Sequence, residues 1–517
     1  MGNIYLFEII VTCWVLLILY AFLRVVHVIW WRPNYWEKLL RRQGIRGTSY
    51  KLLRGDIVEI KASMMEAHSK PMSGLSHHIT PRVFPFFHDL MQKYGKVCMT
   101  WIGTKPRLII GEPEVIRSIL GDKKNDFVKP PQNPLVDILQ RGIATLDGDQ
   151  WAKRRRQITP AFHFDKLKGM MPAFSTSCSE FINVWTKLAT LEGSCEVDVA
   201  AEFQNITGDV IARTAFGSSF EEGKKIFELQ KEQAILVIEA YYSLYIPGLR
   251  FVPTRKNRRR YKLDSEIKAT IRDIIRQKKK EIENRSELSG TDLLGLLLDD
   301  CKQQSDNCIT IEEVIEECKL FYFAGKDTTA NLLTWTMVLL SMHPTWQEKA
   351  REEVLRICGK KSPDFESISH FKIVPMILNE VMRLYPPVCN LYRYSKRKTS
   401  IGGITIPAGI EILLVMLSLH HDPNYWGDDV EEFNPERFSE GVARSSKDNQ
   451  SQIAFYPFGW GPRICLGQNF AMMEAKMALA MILQHFSFEL SPSYTHAPRT
   501  VITLQPQYGA PIILHQL

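Results

Sequence analysis

Apolar residues run from Ile4 to Leu23 almost without interruption, the sharpest change of pattern in the chain. Twenty residues at 1.5 Å each make a helix of about 30 Å, the thickness of a bilayer's hydrocarbon core. Glu8 breaks the run near its outer end, where a carboxylate reaches the interface. Arg24, Arg32, Lys38, Arg41 and Arg42 follow the run and no Lys or Arg precedes it, an asymmetry that leaves the rest of the chain cytosolic. Trp30, Trp31, Tyr35 and Trp36 read as an interfacial aromatic belt. A cleaved signal peptide would need a basic n-region and a small-residue cleavage site, and neither is evident. The pattern divides the chain into an anchor at 1–24, a basic and aromatic juxtamembrane hinge at 25–50, and one large domain at 51–517.

Within the domain, helical periodicity dominates 83–95, 113–120, 148–240, 258–300, 310–342, 345–357, 371–385 and 470–486. Alternating or β-branched runs bounded by turns occupy 97–111, 400–416 and 486–516, which predicts a mainly α fold with a minor β part. Residues 241–253, YYSLYIPGLRFVP, fit either a core-facing loop or a second, monotopic membrane contact. The stretch 310–342 is the most informative. Thr310 and Glu313 form a capping box and His343-Pro344 marks the stop, giving 33 residues or about 50 Å of helix. Its apolar pattern breaks at AGKDTT, Ala324–Thr329. Gly325 in mid-helix costs about 1 kcal/mol against alanine, and by itself a packing glycine against a neighbouring helix accounts for it. Ala324 and Thr328, however, share a face at i, i+4 with Asp327 beside them, which leaves room for a flat ligand and a proton route.

Composition works mostly by exclusion. With 45% hydrophobic and 24% charged residues, the 517-residue chain is that of an ordinary globular protein. The net charge of +8 is mild, and its basic runs lack interleaved aromatics, so no nucleic-acid partner is expected. Ten cysteines (Cys13, Cys98, Cys178, Cys195, Cys301, Cys308, Cys318, Cys358, Cys389, Cys465) are scattered singly, which fits reduced thiols facing the cytosol. The sequons at Asn205, Asn284 and Asn449 are then unused. Gly217–Lys224 has the wrong spacing for a phosphate loop. The adjacent pairs His77-His78 and His420-His421 cannot both face one metal from regular structure.

Three further segments carry candidate chemistry. FYPFGWGPRICLGQNF, 455–470, surrounds Cys465 with glycine, proline and aromatics, far more special backbone than a structural cysteine needs. NEVMRLYPP, 379–387, sets Glu380 and Arg383 at i, i+3, and Arg437 of FNPERF could bind the same carboxylate. Trp151 and Arg155 sit at i, i+4 on one helical face.

Together these segments resemble the cytochromes P-450. Phe458, Gly461, Arg463, Cys465 and Gly467 spell FxxGxRxCxG, the haem-binding signature; Ala324–Thr329 match the oxygen-activation motif, Glu380/Arg383 the ExxR pair, and Trp151/Arg155 the WxxxR pair. The order and spacing are most similar to plant microsomal members, in particular the branch oxidising terpenoids, steroids and hormones. One departure is RRQGIRGTSY, 41–50, in place of the usual proline-rich hinge. The resemblance implies the P-450 fold behind a single transmembrane helix in the endoplasmic reticulum membrane. It also implies haem b with Cys465 as axial ligand. Gly461 and Gly467 would let the backbone lie against the porphyrin, with Ala324 and Gly325 on its other side. Phe458 would pack over the sulfur, and Trp151, Arg155, Arg393 and Arg463 would meet the propionates. Thr328 and Asp327 would deliver protons during oxygen activation, while Glu380, Arg383 and Arg437 would form a buried structural triad.

The expected reaction inserts one oxygen atom of O2 into a C–H bond of a lipophilic substrate. Electrons would come from NADPH through a separate flavoprotein reductase, to which Lys153, Arg154 and Arg156 could offer a basic face. Phe323, Val388, Leu391 and Ile502 would line the pocket, with Asn390 as its polar handle. The alternatives are a haem-thiolate isomerase or dehydratase acting without O2, and a hydroxylase inactivating gibberellins or other hormones.

Overall fold

The computed structural model describes residues 2–131, 133–189, 193–217, 220–241, 243, 248–284, 292–302, 309–446 and 454–517. Cys308, Asn449 and part of the 241–253 connection lie outside them. In helix Gly2–Val26 the side chains from Tyr5 onward are exposed, and its apolar stretch is long enough to cross a membrane. A π-turn at His27–Trp31 leads into helix Arg32–Arg41, so the first part of the hinge segment is helical. Trp30, Trp31 and Tyr35 are exposed there. Trp36 is not: it is buried under Arg32, 4.2 Å from guanidinium to ring, and it touches Gly409. Trp36 therefore belongs to the domain's core and not to the aromatic belt.

Helices make most of the domain. The continuous 148–240 region resolves into Gly148–Ile158, Phe164–Ala189, Val199–Phe216 and Phe220–Tyr241, with a strand, Ser194–Asp198, in place of helix between the second and third. That strand pairs antiparallel with Pro511–His515. Its register partner lies over three hundred residues away, out of reach of a local pattern. Helix Ile57–Ser69, helix Pro134–Gln140 and strand Leu391–Ser395 also escape the periodicity reading, because each is short or irregular in its apolar spacing.

The long helix forms as its cap requires. Thr310 Oγ1 accepts the Glu313 amide at 3.3 Å, and the Glu313 carboxylate accepts the Thr310 amide at 2.8 Å. From Ile311 to Met342 this central helix runs through the core, with every residue from Thr329 to Ser341 buried. A mixed six-stranded sheet has the order Arg46–Gly47, Val97–Ile102, Lys105–Ile110, Glu411–Leu414, Leu391–Ser395, Phe127–Val128. A short hairpin near the C-terminus, Pro498–Val501 with Thr503–Pro506, packs back onto the central helix.

Candidate active site

The cysteine loop ends in a 3-10 turn, Gly461–Arg463, ahead of helix Gln468–His485. Gly461 has φ +72°, and a Cβ there would lie 2.3 Å from the Leu120 carbonyl oxygen. A close neighbour of Gly461 is thus the end of helix Pro113–Leu120. At Gly467 an added Cβ would sit in ordinary van der Waals contact with Phe162, 3.8 Å away. The Cys465 amide donates to the half-buried Phe458's carbonyl at 2.9 Å. The thiol is exposed, yet burial pushes its pKa up, with the Gly467 N–H and the Arg155 charge pulling the other way. A thiol that is accessible and yet surrounded by protein implies a chamber beside it. Arg155, expected at a propionate, donates to the Ile464 carbonyl at 2.9 Å, beside the thiol.

The central helix opens toward this interior where its apolar pattern breaks. Ala324 is exposed and residues 325–328 are half-buried, in contrast to the sealed stretch that follows. Phe162, which borders Gly467, stacks on Phe321 of the same helix at 5.6 Å and ties the two sides together. Thr328 Oγ1 donates to the Ala324 carbonyl at 2.7 Å, the back-bonding its position suggests. Asp327 points elsewhere: it accepts from Gln204 Nε2 at 3.1 Å and from the Thr503 hydroxyl. Burial raises its pKa, while both donors and Lys326 oppose the rise. Gly325 does not face the chamber. Its absent Cβ would lie 2.7 Å from Ile211 of helix Val199–Phe216, so it is a packing glycine.

Positive charge gathers at one edge. Arg463 donates to the Leu146 carbonyl at 2.9 Å, pairs with Asp147, and lies 4.6 Å over the Trp151 ring. Arg393 finds only the neighbouring Tyr392 carbonyl, at 2.9 Å. Its pKa is lowered to about 10 by burial and by Arg463. Lys129 joins them, pushed down to about 7 by burial and then by Arg393 and Arg463, with Asp147 opposing. Sequence reasoning missed Lys129. Its strand pairs Val128 with Tyr394, so the next residue, Lys129, falls beside Arg393. One buried cation, Arg393, and two half-buried ones, Lys129 and Arg463, gather around Asp147, with Asp122 also acting on Arg393.

An apolar group lies alongside: Leu135, Val136, Ile138 and Leu139 from helix Pro134–Gln140, Ala234, Val237 and Ala240 from helix Phe220–Tyr241, with Phe323 and Ile502 packed against them. The contribution of the second helix could have been found from its AILVIEAYY run, 234–242. Val388 is exposed and Leu391 half-buried, its Cδ1 3.8 Å from where a Cβ on Gly459 would stand. The Asn390 amide is buried with neither its oxygen nor its nitrogen partnered.

Two groups lie away from the chamber. Glu380 and Arg383 are fully buried and bidentate at 2.7 and 2.8 Å, and Arg383 also donates to the carbonyls of His420, Val430 and Glu432. Arg437 stands 3.6 Å from Glu380 but is held chiefly by Asp429, at 2.5 Å, and the Trp426 carbonyl. Arg154 cannot serve as a docking residue: it is buried and ion-paired to Glu317 and Glu313, each at 2.7 Å.

Positive charge beside an accessible thiol suits an anionic ligand within reach of sulfur. The chain belongs to the haem-thiolate oxygenases: the Cytochrome P450 family model matches residues 68–508. It is 51% identical to cytochrome P450 CYP72A616 of Paris polyphylla over 95% of each chain. It is 47% identical to 7-deoxyloganic acid hydroxylase of Catharanthus roseus over 99% of each, and 46% identical to 11-oxo-beta-amyrin 30-oxidase of Glycyrrhiza uralensis over 95% of each. The protein is thus a plant-type P450 monooxygenase, of a family that carries haem on a cysteine thiolate. The residues present fit that group: an accessible thiol just ahead of a helix N-terminus, and a cluster of cations, Lys129, Arg393 and Arg463, that could take two carboxylates.

Proposed function

We propose that the protein hydroxylates a terpenoid or steroid at the cytosolic face of the endoplasmic reticulum membrane, using O2 and electrons passed from NADPH by a separate flavoprotein reductase. The observation that carries this reading is the opening of the central helix at Ala324–Thr328 beside an apolar chamber. Haem held by Cys465 would supply the redox chemistry, transferring one oxygen atom to carbon while the other leaves as water.

The chain's own residues prepare that chemistry. The Gly467 N–H, the positive end of helix Gln468–His485 and the Arg155 charge favour the thiolate against its burial. Lys129, Arg393 and Arg463 would hold the two carboxylates, with Trp151 supporting Arg463. Thr328, whose proton is engaged by the Ala324 carbonyl, keeps lone pairs that can accept a hydrogen bond. Asp327, with its raised pKa, is the nearby source of one. The Leu, Val, Ile and Phe walls exclude water.

A rigid terpenoid buries several hundred Å² of apolar surface, worth several kcal/mol at about 25 cal/mol per Å². Leaving the Asn390 amide unpaired costs about 1–3 kcal/mol, which a substrate hydroxyl or carboxyl would offset. The relatives named for 7-deoxyloganic acid and 11-oxo-beta-amyrin favour the same substrate class.

The test is turnover in microsomes with a plant reductase, NADPH and isotopically labelled O2, over 7-deoxyloganic acid, 11-oxo-β-amyrin, sterols, gibberellin-type acids and small polar aromatics. A product carrying one labelled oxygen supports the proposal. Conversion without O2 or NADPH identifies an isomerase or dehydratase. Turnover of small polar aromatics alone refutes the substrate class.

A further inference from the structure

At the tip of the C-terminal hairpin, strain, the apolar chamber and the oxygen-activation helix meet. Val501 pairs with Thr503, which leaves Ile502 as a one-residue turn with φ +70°. A β-branched residue is a genuine outlier in that region of backbone space, and such strain persists only where the surroundings enforce it. The enforcing contacts are present. The Leu504 amide donates to the Pro387 carbonyl at 3.0 Å, and Trp335 Nε1 of the central helix donates to the Leu504 carbonyl at 3.1 Å. The Ile502 side chain is thereby packed against the chamber's apolar group, beside Phe323.

Thr503, the next residue, is buried and bonded on both sides. Asn331 Nδ2 donates to its oxygen at 3.0 Å, and its own hydroxyl proton goes to Asp327. A hydroxyl has one proton to give, so this arrangement commits it to the carboxyl. Gln204 supplies the second donor, and Lys326 is the nearby charge, with Lys231 beyond it. Losing the Thr503 hydroxyl would remove one of two direct donors that favour the ionised form of a buried acid.

We propose that Thr503 is a positioning residue for Asp327, and that the strained turn at Ile502 links its grip on that carboxyl to whatever fills the chamber. A bulky substrate packed on Ile502 locks the turn and keeps the hydroxyl aimed; a small one leaves the turn free to relax. The inference rests on the reading of Asp327 as the proton source.

The experiment is infrared titration of protonated carboxyl bands in the full-length holoenzyme, comparing wild type, Asp327→Asn, Thr503→Val, Thr503→Ser and Ile502→Gly. Haem content is measured alongside to confirm folding. The band missing in Asp327→Asn should titrate about one pH unit higher in Thr503→Val and return in Thr503→Ser. Ile502→Gly should move it the same way in the wild-type background and add nothing on top of Thr503→Val. An unmoved band in Thr503→Val overturns the positioning role, and an additive Ile502 effect overturns the link. If Asp327→Asn removes no band, the reading of Asp327 as proton source fails instead.

Discussion

Two clusters of buried charge differ in whether they are closed. Around Glu380 and Arg383 the charges balance: the guanidinium's five N–H groups reach one carboxylate and three carbonyls, and Glu380 also accepts the Asn434 amide. Around Lys129, Arg393 and Arg463 they do not: among the described residues Asp147 ion-pairs with Arg463, and the other two cations feel carboxylates only at longer range. A closed cluster is complete within the fold and holds it together; an open one is completed by something that binds. Both contain arginine, and burial alone does not tell them apart. The count of partners does.

Acid should act first and most strongly on the closed region. His77, His420 and His496 lie there, with pKa values lowered to about 3, 3 and 4, chiefly by burial. Since folded values lie below the unfolded value of about 6.5, the unfolded chain binds more protons as pH falls below 6.5. Stability is then lost progressively toward pH 3–4, by up to several kcal/mol per histidine. Circular dichroism melts from pH 7 to 4 should show it; flat melting temperatures would mean that these imidazoles are solvated. Next in size, Glu380→Ala strands Arg383 and should cost about 3–5 kcal/mol, most of a domain's margin. Normal recovery of haem-loaded protein would contradict the closed description.

In the open cluster the sign reverses. Lys129→Met removes an unmatched charge, so the haem-free protein should gain about 1–3 kcal/mol at pH 7 in thermal melts. The haem-loaded protein should lose haem to an acceptor protein about tenfold faster. Loss of stability in both forms would show the cluster to be closed after all. Smallest is Gly325→Ala: the gain in helix propensity of about 1 kcal/mol offsets a displaced Ile211 side-chain end, so net stability should change by less than that. Haem uptake should be unchanged, whereas a block to haem binding would put Gly325 on the chamber after all.

The sequence alone determined what local rules govern. Twenty apolar residues fix a helix of membrane length, Thr310 and Glu313 fix a helix start, and the glycines and aromatics around Cys465 mark a ligand loop. Each depends on residues a few positions apart, and so could be read directly. Sequence spacing also brought Glu380 and Arg383 together, because they share one helical face.

The rest depended on partners distant in the chain. Only the strand register sets Lys129 beside Arg393, and only the approach of Leu120 explains Gly461. Only helix packing turns Gly325 toward Ile211 and encloses Arg154 between two glutamates. The bond from Thr503 to Asp327 spans 176 residues. No periodicity records such a contact, because side-chain direction is local while the neighbour it meets is chosen by the packing of the whole domain.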